Sequence, residues 1–325
     1  MEYFHFFYVA FGIFLLYLGG DYLLKSSVSV ATYFKVPSLL IGVTVVSFST
    51  SAPELFTSLI ASFKGKNEII VSNIIGSNII NMLLALPLTG VFLSIETEFK
   101  RLRLSFTVLF LLMFLLLLFS FDLNSLAFFK MPYHRTSSLV IFILFLFYLF
   151  LFYREEKKYN FVSKDAEEVN CDYGIKFLFL NTFVLTLSIY FLYLGSKLLV
   201  DSSVYIAHNI FNVSEKVIGI ILVAFGTSIP EIVVSLFSVA RKESEIAIGN
   251  IIGSNIFNIG LILASSSFVR PVLMSDIYFV DFGIMVAVAL VLLLIVKFKG
   301  AFSRGPSVLF LLLYALYNTF LFVAV

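Results

Sequence analysis

The sequence predicts an all-α polytopic membrane protein, with ten transmembrane helices in two inverted-topology five-helix repeats. Three observations predict it: an extreme apolar composition, long runs of Leu, Phe and Val, and a polar motif that occurs twice at constant spacing. Of the 325 residues, 60% are hydrophobic and 13% charged, and the mean hydropathy is +1.04. A soluble domain carries about a quarter charged residues and under half apolar ones. That balance excludes a soluble enzyme. A net charge of +2 offers no basic surface for nucleic acid. The single Cys171 cannot close an internal disulfide. Trp is absent, so any interfacial aromatic belt must come from the 40 Phe and 16 Tyr.

A helical span needs about 20 apolar residues. The apolar runs place spans near 4–24, 39–63, 69–93, 102–121, 137–153, 177–200, 217–240, 246–268, 278–296 and 307–323. Each must be helical, because hydrocarbon has no water to satisfy an open strand edge. The alternating pattern of a β-barrel strand is missing from these runs. The opening residues, Met1 to Phe7, lack the basic start of a cleaved signal peptide and read as the beginning of the first helix. Fifteen of the 22 Lys and Arg, including Lys25, Arg101, Lys158 and Arg241, fall in loops after odd-numbered spans. Cytoplasmic loops are the ones enriched in these residues. Odd loops are therefore expected inside and both termini outside. The polar stretch 154–174 mixes both charge signs and reads as a cytoplasmic linker between a first repeat, 1–153, and a second, 175–325.

The repeat is legible residue by residue. Segment 41–81 contains Thr50-Ser51-Ala52-Pro53-Glu54 and Gly76-Ser77-Asn78-Ile79-Ile80-Asn81. Segment 218–258 contains Thr227-Ser228-Ile229-Pro230-Glu231 and Gly253-Ser254-Asn255-Ile256-Phe257-Asn258. Glu54 and Glu231, Ser77 and Ser254, and Asn81 and Asn258 are each 177 residues apart. Chance likeness between apolar helices would match Leu and Phe. Here the matched types are Thr, Ser, Pro, Glu, Gly and Asn, which are costly in lipid. Five spans per repeat is an odd number, so the halves enter the membrane with opposite orientation. Many secondary transporters are built this way, with the substrate site at the midplane between the repeats.

Glu54 and Glu231 lie well inside apolar spans. An ionised carboxylate there costs at least about 2.5–3.5 kcal/mol, and no Lys or Arg lies at matching depth to offset it. A bound cation or a proton is the remaining partner. Thr50 and Ser51 precede Glu54 by four and three residues, and Ser77 precedes Asn81 by four, so each set shares a helix face. Thr227, Ser228, Ser254 and Asn258 repeat the pattern around Glu231. Pro53 and Pro230 lack an N–H, which frees the carbonyls of Ser49 and Gly226 and opens those turns. The donor inventory is all oxygen, without Cys or His, and suits a hard cation. Ca²⁺ takes about 6–8 oxygens in flexible geometry. Two glutamates neutralise one Ca²⁺ or two Na⁺, and competition between those ions is a mechanism for exchange. Ser and Thr in membrane helices also bond their own i−4 carbonyls, and Asn81 and Asn258 serve equally well as interhelical glue. Asn78 and Asn255 read as packing or capping residues.

The paired Thr-Ser-x-Pro-Glu and Gly-Ser-Asn-x-x-Asn segments resemble the two α-repeats of the calcium:cation antiporter family, specifically its prokaryotic-type sodium/calcium exchangers. The resemblance implies that Glu54 and Glu231 are central ligands shared by Ca²⁺ and Na⁺. It implies flanking Na⁺ sites from Thr50, Ser51, Ser77, Thr227, Ser228 and Ser254, with Asn81 and Asn258 bordering the middle site. Backbone carbonyls of Ser47, Ala224, Thr50 and Thr227 would contribute. The first and sixth spans would slide against a scaffold of the other eight. No resident cofactor, function as a monomer and residence in a prokaryotic cytoplasmic membrane are implied as well. Three positions depart from the family pattern. Asn258 stands where many exchangers carry Asp, Ser49 where Gly is usual, and Ser72 where the second half has Gly249. The two serines are expected to stiffen the backbone near the first-half site. Asn258 keeps a Ca²⁺/H⁺ antiporter as the alternative. An inverted repeat within one chain argues against a channel, whose pore is usually built by subunits around an axis. An intramembrane enzyme would need a nucleophile and base that the midplane motifs lack.

Overall fold

A computed structural model describes residues 2–34, 36–122, 127–128, 131–162, 175–209, 225–274 and 278–324. Almost all of them are helical. The first half comprises α1 (Glu2–Phe34), α2 (Ser38–Ile41), α3 (Ser47–Thr50), α4 (Ala52–Phe63), α5 (Asn67–Ile80), α6 (Leu86–Phe92), α7 (Phe99–Phe119) and α8 (Arg135–Val162). The second comprises α9 (Ile175–Asn209), α10 (Ile229–Ala240), α11 (Ser244–Phe257), α12 (Ala264–Val269), α13 (Phe279–Lys299) and α14 (Arg304–Ala324). Wider π-helical turns, Gly42–Val46, Asn81–Ala85 and Asn258–Leu263, join α2 to α3, α5 to α6 and α11 to α12. Among the described residues, 7 helices are long and apolar enough to cross a membrane, and the bent pair Ser38–Thr50 and Ala52–Phe63 makes an eighth. Helix α10 is a shorter apolar helix, and the expected start of its span at 217 lies outside the described residues.

Proline chemistry explains the bent pair. Pro53 stands in the first turn of α4, where its missing N–H costs nothing. Ser51, at φ −83° and ψ 6°, forms the joint, and the axes on either side differ by 46°. Pro230 starts α10 in the same way, with Ser228 at φ −86° and ψ 1°. The linker expected from residue 154 begins later than its charge suggested, because α8 continues to Val162. Glu and Lys are good helix formers, and Glu156 is held by Arg101, whose Nη2 lies 2.6 Å from its Oε2. Residues 163–174 of that linker lie outside the described residues.

Contacts between connections fall into two groups. Strand β1 (Ile95–Glu96) pairs antiparallel with β2 (Ala301–Phe302). Arg101 binds both Glu156 and Glu245, and Arg241 pairs with Asp21. Asp21 also makes the expected i,i+4 pair with Lys25 at 2.7 Å. In the span numbering expected from the sequence, all of these groups follow odd-numbered spans or sit at that end of a helix. At the other end, Tyr133 bridges to Val272, Arg135 donates to the carbonyl of Phe268 at 3.3 Å, and His5 stacks on Tyr205 with centroids 3.7 Å apart.

Two apolar clusters organise the interior. The larger runs through α5, α7, α8, α11 and α13, with Ile79, Leu112, Tyr148, Ile251 and Met285 at its centre. The smaller joins α1 and α9 to the broken helices through Leu16, Leu23, Val46, Leu192 and Ile229. Helices α1 and α9 run antiparallel and touch backbone to backbone. A Cβ on Gly12 would lie 2.9 Å from the Gly195 carbonyl, and one on Gly195 2.8 Å from that of Gly12. Small residues at such a seam let membrane helices approach closely.

The turns after α4 and α10 share one shape. Gly65 and Lys242, 177 residues apart, both adopt positive φ, 68° and 64°. Glycine adopts that region without strain, whereas lysine pays about 1 kcal/mol. Lys242→Gly is therefore expected to stabilise the protein by about 0.5–1 kcal/mol, read as a higher melting temperature with transport unchanged.

Candidate ion-binding site

The two broken helices bring Glu54 and Glu231 into the interior, each in the first turn of a 12-residue helix. A helix N-terminus carries partial positive charge, which favours a carboxylate there. Both residues are sealed from the surface, at 1% and 0% exposure. Thr50, Ser51, Ser77, Asn81, Ser228, Ser254 and Asn258 are buried as well, and Thr227 is half-buried.

Hydrogen bonds between the halves come in matched pairs. Thr50 donates to Asn250 Oδ1 at 3.0 Å, and Thr227 donates to Asn73 Oδ1 at 3.1 Å. Thr50 lies 3.4 Å from Ser254 Oγ, and Thr227 3.5 Å from Ser77 Oγ. Asn258 Nδ2 donates to Asn78 Oδ1 at 2.8 Å, and Asn81 Nδ2 to Asn255 Oδ1 at 3.3 Å. In every pair one member belongs to each repeat, and the partners interchange under the 177-residue offset. Asn78 and Asn255, expected as packing residues, are the acceptors that tie the repeats together. Of the two roles weighed for Asn81 and Asn258, their contacts show the one between helices. Their amide nitrogens hold the other repeat, while Oδ1 of each is buried without a hydrogen-bond partner.

The pairing breaks at the carboxylates. Ser51 reaches across to the opposite half and donates to Glu231 Oε1 at 3.0 Å. Its spacing groups it with Glu54, three residues on, but the joint at Ser51 turns it away. The equivalent bond from Ser228 to Glu54 is not made. Glu54 Oε1 and Oε2, Ser228 Oγ and Glu231 Oε2 are all buried without hydrogen-bond partners among the described residues. With the two asparagine oxygens, that makes six orphaned oxygens among the predicted residues. Leaving one such acceptor unmade costs about 1–3 kcal/mol, and more for a charged group. A hard cation is the partner such a set would suit.

Of the carbonyls expected as ligands, that of Ser47 accepts from Ser51 N at 3.0 Å and from Thr50 Oγ1 at 3.3 Å. Gly226, freed by Pro230, accepts a bond from Ser196 of α9. Ala224 lies outside the described residues. Ser49 bonds back to the carbonyl of Val45 at 2.6 Å. Ser72 is exposed and bonded to the Glu68 carbonyl at 2.7 Å, on a face turned away from the site. Its counterpart Gly249 lies buried against the chain at Leu39 and Val43.

Asn73 and Asn250 stand outside the residues expected at the site. The signal was present: Asn73, Ser77 and Asn81 recur every four residues on one helix face, as do Asn250, Ser254 and Asn258. The π-helical turns beginning at Asn81 and Asn258 had no sequence signal, although such bulges are frequent at functional sites.

Comparison with known proteins agrees in family and in fold. The family model described as "Sodium/calcium exchanger protein" matches residues 4–154 and 180–323. An uncharacterized membrane protein of Methanocaldococcus jannaschii is 32% identical over 307 residues, 94% of either chain. The sodium/calcium exchanger MaX1 of Methanosarcina acetivorans is 28% identical, with 96% of either chain covered. A solved structure of the sodium-calcium exchanger NCX_Mj, soaked with 10 mM Na⁺ and zero Ca²⁺, superposes with a TM-score of 0.81 at 31% identity. That match covers 97% of this chain and 98% of the other.

Proposed function

Because the chain belongs to the sodium/calcium exchanger protein family of membrane cation antiporters, we propose that it exchanges Ca²⁺ for Na⁺ by alternating access at a site built on Glu54 and Glu231. One observation carries this reading. The buried oxygens left without partners, on Glu54, Glu231, Ser228, Asn81 and Asn258, belong to the predicted ligand set. Ca²⁺ shared by both carboxylates, or Na⁺ ions distributed among the carboxylates and hydroxyls, would satisfy them. The two ions then compete for the same oxygens, and occupancy by one requires release of the other. Thr50, Ser51, Ser77, Thr227 and Ser254 supply the remaining side-chain oxygens.

In this reading the chain crosses the membrane ten times as two inverted five-helix repeats. Its termini face outward, and it works as a monomer in a prokaryotic cytoplasmic membrane. The grouping of connection contacts supports the alternation, since odd connections meet only odd ones in the contacts named above. The glycine seam supports α1 and α9 moving as a unit, because it lets their backbones pack in direct contact.

The test is a flux measurement. Vesicles containing the purified protein and loaded with Na⁺ are diluted into Na⁺-free buffer with radioactive Ca²⁺. A second set carries only a pH gradient. Uptake driven by Na⁺ is expected. Uptake driven by the pH gradient alone would assign the protein to Ca²⁺/H⁺ exchange. No Ca²⁺ flux under either gradient would overturn the substrate.

A further inference from the structure

We propose that Asn73 and Asn250 are positioning residues that turn Thr227 and Thr50 into obligate oxygen donors for the transported cation, an inference that rests on the exchange site described above. Each asparagine is buried, at 1% and 0% exposure. Asn250 Nδ2 lies 3.4 Å from the Glu231 carbonyl and 3.2 Å from Ser235 Oγ. Asn73 Nδ2 lies 3.3 Å from the Glu54 carbonyl and 3.0 Å from Ser58 Oγ. A carbonyl can only accept, so the amide nitrogen must face it. That orientation leaves Oδ1 of Asn250 for Thr50, 3.0 Å away, and Oδ1 of Asn73 for Thr227, 3.1 Å away.

An amide oxygen can only accept, so each threonine offers its single proton to the asparagine; for Thr50 that contact, at 3.0 Å, is shorter than the competing one to the Ser47 carbonyl at 3.3 Å. A hydroxyl has one proton and two lone pairs. Once the proton is committed, the hydroxyl faces the site as an acceptor alone, which is what a cation needs. The same asparagine grips the backbone of the glutamate, so one side chain sets the register of two ligands. Because Asn250 grips Glu231 of its own repeat and Thr50 of the other, and Asn73 does the converse, the two repeats cannot shift at this level without breaking a pair of bonds.

The experiment is a double-mutant cycle on Ca²⁺ affinity, measured by calorimetry on purified protein, using Asn250→Ala, Thr50→Val and the combination. Asn250→Ala is expected to weaken Ca²⁺ binding about tenfold, and Thr50→Val by a similar factor. The combination is expected to be little worse than either, because the asparagine acts through the threonine. Multiplicative losses in the combination, or a fall in melting temperature with affinity unchanged, would overturn the proposal and assign the asparagine to packing. The cycle at Asn73 and Thr227 is the second arm. Asn250→Ser, too short to reach both partners, replaces alanine where alanine does not yield folded protein. Glu54→Gln is the reference. If wild-type protein binds no Ca²⁺, or if Glu54→Gln binds it unchanged, the exchange site itself is wrong and the proposal falls with it. If Glu54→Gln abolishes binding while the cycle is multiplicative, only the positioning role fails.

Discussion

Glutamine at both Glu54 and Glu231 is expected to abolish Ca²⁺ uptake driven by a Na⁺ gradient while raising the melting temperature of the purified protein in ion-free buffer. The two effects have one cause. Three of the four carboxylate oxygens are buried without a hydrogen-bond partner, which destabilises the protein whenever no cation compensates them. The amide keeps the shape and removes the charge. Relief of about 1–3 kcal/mol corresponds to roughly 1.5–4.5 °C for a chain of this size. Ca²⁺ reverses the order, because a ligand stabilises only the protein that binds it. Adding Ca²⁺ should raise the melting temperature of the wild type and leave the double variant unmoved. Transport should fall at least about a hundredfold, since losing both charges leaves a divalent ion uncompensated in a low-dielectric interior. A double variant that still transports, or one that melts lower than the wild type without ions, would contradict this account of the site.

Leucine at Gly253 is expected to cost the folded protein. A Cβ there would lie 2.8 Å from the carbonyl oxygen of Val43 and 2.9 Å from its Cα. Ser47 Oγ occupies the same space, held by the carbonyl of Gly42 at 2.8 Å and that of Asn250 at 3.1 Å. These obstacles are mostly backbone, so rotamer changes cannot make room. Gly249, one turn earlier, packs 3.0 Å from the Val43 nitrogen on the same measure, so α11 meets the π-helical turn along a flat strip. Overpacking typically costs 1–3 kcal/mol for a methylene or two. A leucine against backbone should exceed about 3 kcal/mol and remove the monodisperse peak in size-exclusion chromatography. Gly283→Ala is the control, since a Cβ at Gly283 meets nothing within 4 Å, and it should behave as wild type.

The candidate site was legible because its chemistry is out of place in lipid. Thr50, Glu54, Ser77 and their counterparts are polar types at a fixed offset in apolar helices, and no packing argument calls for them twice. The joints at Ser51 and Ser228 were legible through Pro53 and Pro230. What depends on how the halves interleave was not legible. The reach of Ser51 to Glu231 rather than to its own half follows from the 46° bend, which has no expression in spacing. The carbonyl of Gly226 was predicted free from proline chemistry alone, yet Ser196 of a different helix occupies it. The continuation of α8 past residue 153 was hidden by its charge, which reads as a linker until Arg101 is seen to hold Glu156.

Asn73, which supplies a bond to the Glu54 backbone, arrives with the first half of the chain, whereas the partners that Thr50 and Ser51 require, Asn250 and Glu231, lie about 180 to 200 residues downstream. At synthesis rates of about 5–20 residues per second, Glu54 waits in the membrane for roughly 10–40 s before the opposite repeat is made. During that interval a carboxylate stands at bilayer depth with only the first half around it. Assembly of the candidate site is thus an event late in biosynthesis, and a chain cut after α8 would present the insertion machinery with an unfinished half whose buried polar groups have nothing to face.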